Sequence, residues 1–185
     1  YAPAIYDVNN HESQGFGFTV DSWDFGTKWL DKKSRKPYKI PMAGAACILM
    51  KRRVFDFIGG FDSGIKQWGR EDAELSIRAW SMGVPIYIDP HVAVGHLFRE
   101  SFPYSIKSAI INRNILRLAY VHLNKERINS VKNCLKSYPD FNESYKSNLF
   151  SDVLLKRLSV KKRRIHDDDW FFEKFNIVMN QNNIS

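Results

Sequence analysis

The stretch Gln67–Trp80 carries the residues in this chain best suited to chemistry. Trp68 and Gly69 lead through Arg70 into two adjacent carboxylates, Glu71 and Asp72, at the mouth of a helical stretch. Adjacent residues at a helix start point about 100° apart, so one acid is able to cap the helix while the other faces a pocket. A carboxylate in a pocket accepts a hydroxyl proton or holds hydroxyls by hydrogen bonds. A neighbouring indole offers an apolar face on which a sugar ring stacks. The spacing alone leaves two readings open: helix caps beside a core tryptophan and a turn glycine, or a site for sugar hydroxyls.

The elements around this stretch must hold it in place. From Asp72, the residues Ala73, Ile77 and Trp80 recur at helical spacing, and Gly83 closes the helix. Glu71, Asp72 and Glu74 sit in its first turn, where the helix dipole favours negative charge, and Glu74 and Arg78 are spaced as an i,i+4 pair. Upstream, residues 1–40 read as loop, except that "YAPAIYD" has the look of a strand end. Ala45–Met50 reads as a buried strand, and "RRVFDFIGG" as a short helix stopped by Gly59. "VPIYID" and "HVAVGH" read as two strands. Helices are expected over 106–123, 126–137, 143–159 and 169–179, with a frayed polar tail. The front is therefore mixed α/β and the chain beyond about residue 105 is helical.

The totals bound the rest. A chain of 185 residues, 44% hydrophobic and 26% charged, has the composition of a globular domain with a core. No apolar run approaches the roughly 20 residues that a membrane helix needs. Cys47 lies in an apolar run and Cys134 in a polar helical one, which reads as two thiols in a reducing, cytoplasmic setting rather than a disulfide framework. A net charge of +8 suits anionic partners such as a phosphorylated small molecule, a phospholipid surface or nucleic acid. The basic run Lys156–Arg164, "KRLSVKKRR", is either a solvated helix face or a contact for a membrane surface or other polyanion. It lacks interleaved aromatic residues, which argues against a nucleic-acid module.

Four ordered blocks then carry a resemblance. Pro41-Met42-Ala43-Gly44, Trp68-Gly69-Arg70-Glu71-Asp72, Val94-Gly95-His96-Leu97-Phe98-Arg99 and Pro103-Tyr104 resemble the second half of the catalytic domain of polypeptide N-acetylgalactosaminyltransferases. More distantly, they resemble β-1,4-galactosyltransferases and bacterial chondroitin-synthase type enzymes. "SWDFGTKW" and "INRNILRLAYV" extend the likeness over about residues 1–125. The resemblance implies a partial GT-A fold, a mixed sheet with flanking helices, followed by a helical extension over 126–185. It implies transfer of a sugar from a nucleotide-diphosphate donor, with UDP as the expected nucleotide, to a glycan or protein hydroxyl. The rival reading is a catalytically inactive carbohydrate-binding or scaffold module on the same fold.

Residue by residue, the resemblance makes His96 a ligand of Mn²⁺ or Mg²⁺ and Gly95 a point of close backbone approach. Arg99 contacts the nucleotide diphosphate. Residues 99–107 match a loop that closes over the donor, from which Tyr104 reaches phosphate. Glu71 belongs to the donor and acceptor site, with Trp68 and Gly69 beside it, and Gly44 and Trp23 on the substrate side. Asp72 stands where the nearest family has Asn. Inverting relatives have Glu-Asp here, with the Asp as general base, so Asp72 becomes the candidate base and the stereochemistry stays open. The Asp-x-Asp or Asp-x-His element of a GT-A metal site is missing upstream of residue 41. "HDDDW" at His166–Trp170 reads instead as helix capping. On this reading Tyr1 falls midway through a catalytic domain, and the chain alone is expected to lack activity and to expose a sheet edge.

Overall fold

The computed structural model describes residues 1–99 and 103–180. The expected frayed tail beyond Asn180, and residues 100–102 of the expected closing loop, lie outside the described residues. A four-stranded mixed sheet forms the front of the molecule. Strand β1 (Ala2–Asp7) turns back into β2 (Asn10–Gly15) as an antiparallel hairpin. Two short strands follow, β3 (Phe18–Thr19) and β4 (Lys28–Trp29), which pair with each other. Strand β5 (Tyr38–Lys39) runs antiparallel to the Tyr87–Ile88 end of β6 (Tyr87–His96). Strand β6 lies parallel to β1, which gives the order β2-β1-β6-β5.

Residues 10–39, expected as loop, carry the four strands β2 to β5, because their backbone finds partners far away in sequence as well as next door. Three further elements also differ from the sequence expectation. The run Ala45–Met50 is not a strand. Only Leu49 bonds in ladder fashion, exchanging backbone hydrogen bonds with Tyr1, and its side chain is exposed. "VPIYID" and "HVAVGH" form a single strand, because Pro90 falls where β6 shifts register against β1 and no amide has to be sacrificed. The expected helix 143–159 breaks into two at Phe150–Asp152. There the Ser151 hydroxyl bonds the Asn148 carbonyl and accepts from the Val153 amide, while Asp152 turns to Arg117.

Seven helices complete the fold among the described residues: α1 (Arg52–Ile58), α2 (Glu71–Ser81), α3 (Ser108–His122), α4 (Lys125–Leu135), α5 (Phe141–Leu149), α6 (Val153–Arg163) and α7 (Asp168–Lys174). Gly59, in the left-handed conformation, ends α1 as expected. Helix α2 is central. Its stripe Ala73, Ile77 and Trp80 enters the main core with Phe18, Phe25, Met42, Ile115 and Leu116. Its opposite face, through Leu75, packs against Ile58, Val121 and Val160. Val131, Leu135, Phe171 and Phe172 belong to the main cluster too, so one core runs through residues on both sides of position 125. At the start of α7 the Asp167 side chain accepts from the Trp170 amide, the capping role expected for "HDDDW". Cys47 and Cys134 are not joined by a disulfide.

Burying α2 on all sides forces its charges to pair inside. Glu74 and Arg78, the expected i,i+4 pair, meet at 2.7 Å with both side chains 1% exposed. The other Glu74 oxygen lies 2.9 Å from His122 Nε2 on α3. A second buried pair joins Arg117 to Asp62 at 2.8 Å, and Arg117 also reaches Asp152. Together these lock α3 to α2, to the loop before α2 and to the start of α6.

Candidate active site

The turn that delivers the paired acids is built from unusual backbone. Gln67, Gly69 and Arg70 all have positive φ, at 50°, 100° and 74°. Glycine adopts this conformation at little cost, but Gln67 and Arg70 do so under strain, which persists only where the surroundings hold it. The holding group is Asn114 on α3, which is fully buried. Its carbonyl accepts from the Lys66 amide, and its amide donates to the carbonyls of Lys66, Trp68 and Gly69 at 2.8–3.1 Å. No motif in the sequence singles out Asn114. Its signals there are its place within "INRNILRLAYV", a segment that extends the resemblance, and a polar side chain on the inward face of a long helix.

We expect Asn114→Ala to leave the turn's carbonyls unpaired and to cost about 2–4 kcal/mol, measured by urea unfolding.

The two acids do different jobs in this frame. Glu71 Oε2 accepts from the Gly69 amide at 2.8 Å, which closes the turn next to Trp68. Asp72 Oδ1 accepts from the Ala73 amide at 2.8 Å. Burial pushes the Asp72 carboxyl up to about 6, and the Glu71 charge beside it adds to the rise. The Ala73 amide and the Arg70 guanidinium work against that rise without cancelling it. The sequence motifs assign Arg70 no role, but the fold gives it one. Its Nη2 donates to the Asp24 carbonyl at 3.0 Å, and its Nε is buried without a hydrogen-bond partner. Burial lowers its pKa while Asp24, Asp72 and Glu71 oppose that change. Arg70 thus ties the acids to the Ser22–Gly26 loop that carries Trp23.

The remaining candidates fall into three groups. Trp23 is half-buried and packs against the main core. Trp68 is 38% exposed at the head of the turn. Gly44 is buried one turn along α2 from Asp72, since the neighbouring Ala43 amide bonds Ser76 Oγ. A Cβ on Gly44 would stand 2.7 Å from the tip of Ile5 and 3.2 Å from the Trp29 ring, so a larger residue there has to displace the Ile5 tip and press on the indole. Trp29 in turn meets Phe98 at 6.1 Å between ring centroids, and Phe98 meets His96 at 4.4 Å. Trp29 and Phe98 thus connect the surroundings of Gly44 to His96.

His96 ends β6 opposite Asp7 of β1, and its Nδ1 is buried without a hydrogen-bond partner. Gly95 before it lets Tyr6 and Val8 approach to within 3.0 Å of where a Cβ would be. Arg99 and Tyr104 are both exposed, on either side of residues 100–102. No group of three or more His, Cys, Asp or Glu side chains able to hold a metal occurs among the described residues. A cavity of about 350 Å³ lies elsewhere, between Val20, Tyr38 and Ile177, and holds none of these candidates.

The mixed sheet with flanking helices is a GT-A-like fold. A crystal structure of GalNAc-T7 with UDP, GalNAc and Mn²⁺ superposes with a TM-score of 0.69 and 21% identity, over 94% of this chain and 34% of that one. The likeness then narrows. The family described as the N-terminal domain of galactosyltransferase matches residues 17–100. Mouse polypeptide N-acetylgalactosaminyltransferase 3 is 30% identical over 164 residues, covering 84% of this chain and 25% of that protein. The Caenorhabditis elegans polypeptide N-acetylgalactosaminyltransferase 5 is 30% identical over 139 residues, 65% of this chain and 22% of that protein. The chain thus resembles polypeptide N-acetylgalactosaminyltransferases and spans about a quarter of the length of these relatives.

Proposed function

We propose that this chain forms the acceptor and metal side of a glycosyltransferase that moves a sugar from a nucleotide diphosphate, UDP, to an acceptor hydroxyl. The observation that carries the proposal is Asp72, a half-buried carboxyl raised to about 6 beside Glu71 on a strained turn. A base of that strength is mostly ionised at neutral pH and still basic enough to draw the proton from an attacking hydroxyl. Glu71 is fixed by the Gly69 amide, and its charge beside Asp72 adds to the basicity of that carboxylate. Trp68 offers its exposed face to the sugar. Arg99 and Tyr104 serve the donor phosphates on this reading, and a guanidinium fork suits them.

Mn²⁺ fits one residue here on its own evidence. The unpartnered buried Nδ1 of His96 is a ligand atom without another use, and imidazole is a normal ligand for a divalent ion of this kind. When bound, the ion neutralises charge on the departing diphosphate. One imidazole does not complete a metal site, so the proposal includes donors from sequence outside this chain. The GalNAc-T7 structure, which contains UDP, GalNAc and Mn²⁺, supports this donor class.

The test is UDP release from UDP-sugars by the intact protein, with and without acceptor, in parallel with its His96→Ala variant. We expect the substitution to weaken Mn²⁺ binding by about 10- to 100-fold or more and to lower UDP release with it. Release that is metal-independent and unchanged in both His96→Ala and Asp72→Asn would remove the proposal.

A further inference from the structure

The basic run Lys156–Arg164 is divided between fastening and solvent. Lys156 Nζ lies 3.8 Å from Asp62, and Arg157 bonds the carbonyls of Tyr120 and Leu123. Arg163 bonds the Phe57 carbonyl and lies over the Phe57 ring, and Arg164 reaches the His122 carbonyl at 3.5 Å. These four fasten α6 to the body. What α6 turns outward is different: Leu154, Leu155 and Leu158, exposed by 65%, 72% and 64%, followed one turn later by exposed Lys161 and Lys162. The spacings i,i+4 and i,i+3 put the three leucines on one patch. Phe150, at the corner between α5 and α6, is 91% exposed, so the fold itself makes almost no use of its ring.

We propose that this corner is a docking surface for an anionic lipid bilayer, with Phe150 and the α6 leucines entering the headgroup–acyl boundary. Soluble folds rarely expose several large apolar side chains side by side without a use. Charge complementarity selects the occupant. Helix α6 contains no acidic residue, and its last turn presents lysines beside the leucines. Protein interfaces are depleted of lysine at their cores, whereas a bilayer rewards leucine flanked by lysines whose stems reach toward the headgroups. No helix among the described residues is long and apolar enough to cross a membrane, so the contact is peripheral. The surface is separate from the acid pair and does not depend on glycosyl transfer.

Vesicle flotation tests the proposal directly. The intact protein is expected to float with equimolar phosphatidylcholine and phosphatidylserine vesicles much more than with pure phosphatidylcholine, and less as salt is raised. The pairs Phe150→Ser with Leu155→Ser, and Lys161→Glu with Lys162→Glu, should each weaken binding by about tenfold or more. Both pairs alter exposed side chains, and unchanged far-UV circular dichroism verifies that the fold is intact. Equal affinity for the two vesicle types, or variants that bind like the parent, overturns the proposal. So does a chain that ignores vesicles but self-associates until the apolar pair is substituted, which would assign the patch to a second copy.

Discussion

Asp72→Asn is expected to lower sugar transfer by the intact protein by about 10²–10⁴-fold, with a much smaller change in donor affinity. The side chain keeps its size and its acceptor oxygen for the Ala73 amide, so the turn should survive while the base is lost. The pH profile carries the sharper signature. The base acts only when unprotonated, so kcat/KM should rise about tenfold per pH unit below about 6 and level off above it. Glu71→Gln removes the neighbouring charge that raises the Asp72 pKa and should move that inflection to lower pH. A profile unmoved by Glu71→Gln, or full activity in the Asp72→Asn variant, would show that the proton leaves by another route.

The same shift makes a stability statement of opposite sense. Asp72 binds its proton more tightly in the folded chain than in the unfolded one, where 3.8 is the ordinary value. Between the two values the folded state holds the extra proton, so stability falls as pH rises through about 6. After discounting for partial exposure, the loss is on the order of 1–2 kcal/mol. Asp72→Asn should recover it at neutral pH, so that the variant with the least activity is also the more stable one.

What the sequence disclosed follows from which interactions are local. The stripe Ala73, Ile77 and Trp80, the Glu74–Arg78 spacing and the Gly59 stop are all set within a turn or two of helix, and each appears in the fold. The blocks Trp68–Asp72 and Val94–Arg99 are legible as motifs because their residues are contiguous. What brings them together is not, since it runs through long-range contacts. Asn114 lies more than forty residues from the turn it holds, and Trp29 reaches Gly44 and Phe98 from a two-residue strand. Apolar composition alone misleads at Ala45–Met50, where no neighbouring strand pairs beyond Leu49. It misleads again at 143–159, where Ser151 and Asp152 break a pattern that otherwise reads as one helix. The basic run is visible in the sequence, but its use as internal fastening depends on carbonyls that only the tertiary fold presents.

Two carboxyls in the first turn of α2 carry opposite shifts, and that contrast predicts the largest change in stability. Burial opposes the charge on Glu74 as it does on Asp72. In Glu74, however, hydrogen bonds and charge from His122 and Arg78 outweigh burial and hold the carboxyl down at about 2. Asp72, with a like-charged neighbour and a single amide, goes the other way. Glu74 therefore contributes stability that is fully present above its ordinary value of 4.5 and is lost as pH falls from there toward about 2. Glu74→Ala should cost about 3–5 kcal/mol at neutral pH, because it leaves the Arg78 guanidinium buried without its partner. Replacing both members, Glu74→Leu with Arg78→Met, removes the stranded charge and should cost far less than the single change. Urea unfolding at neutral pH compares the two. If the double variant is as unstable as Glu74→Ala, the pair holds α2 by more than compensation of its own buried charges, and the bond to His122 is the first place to look.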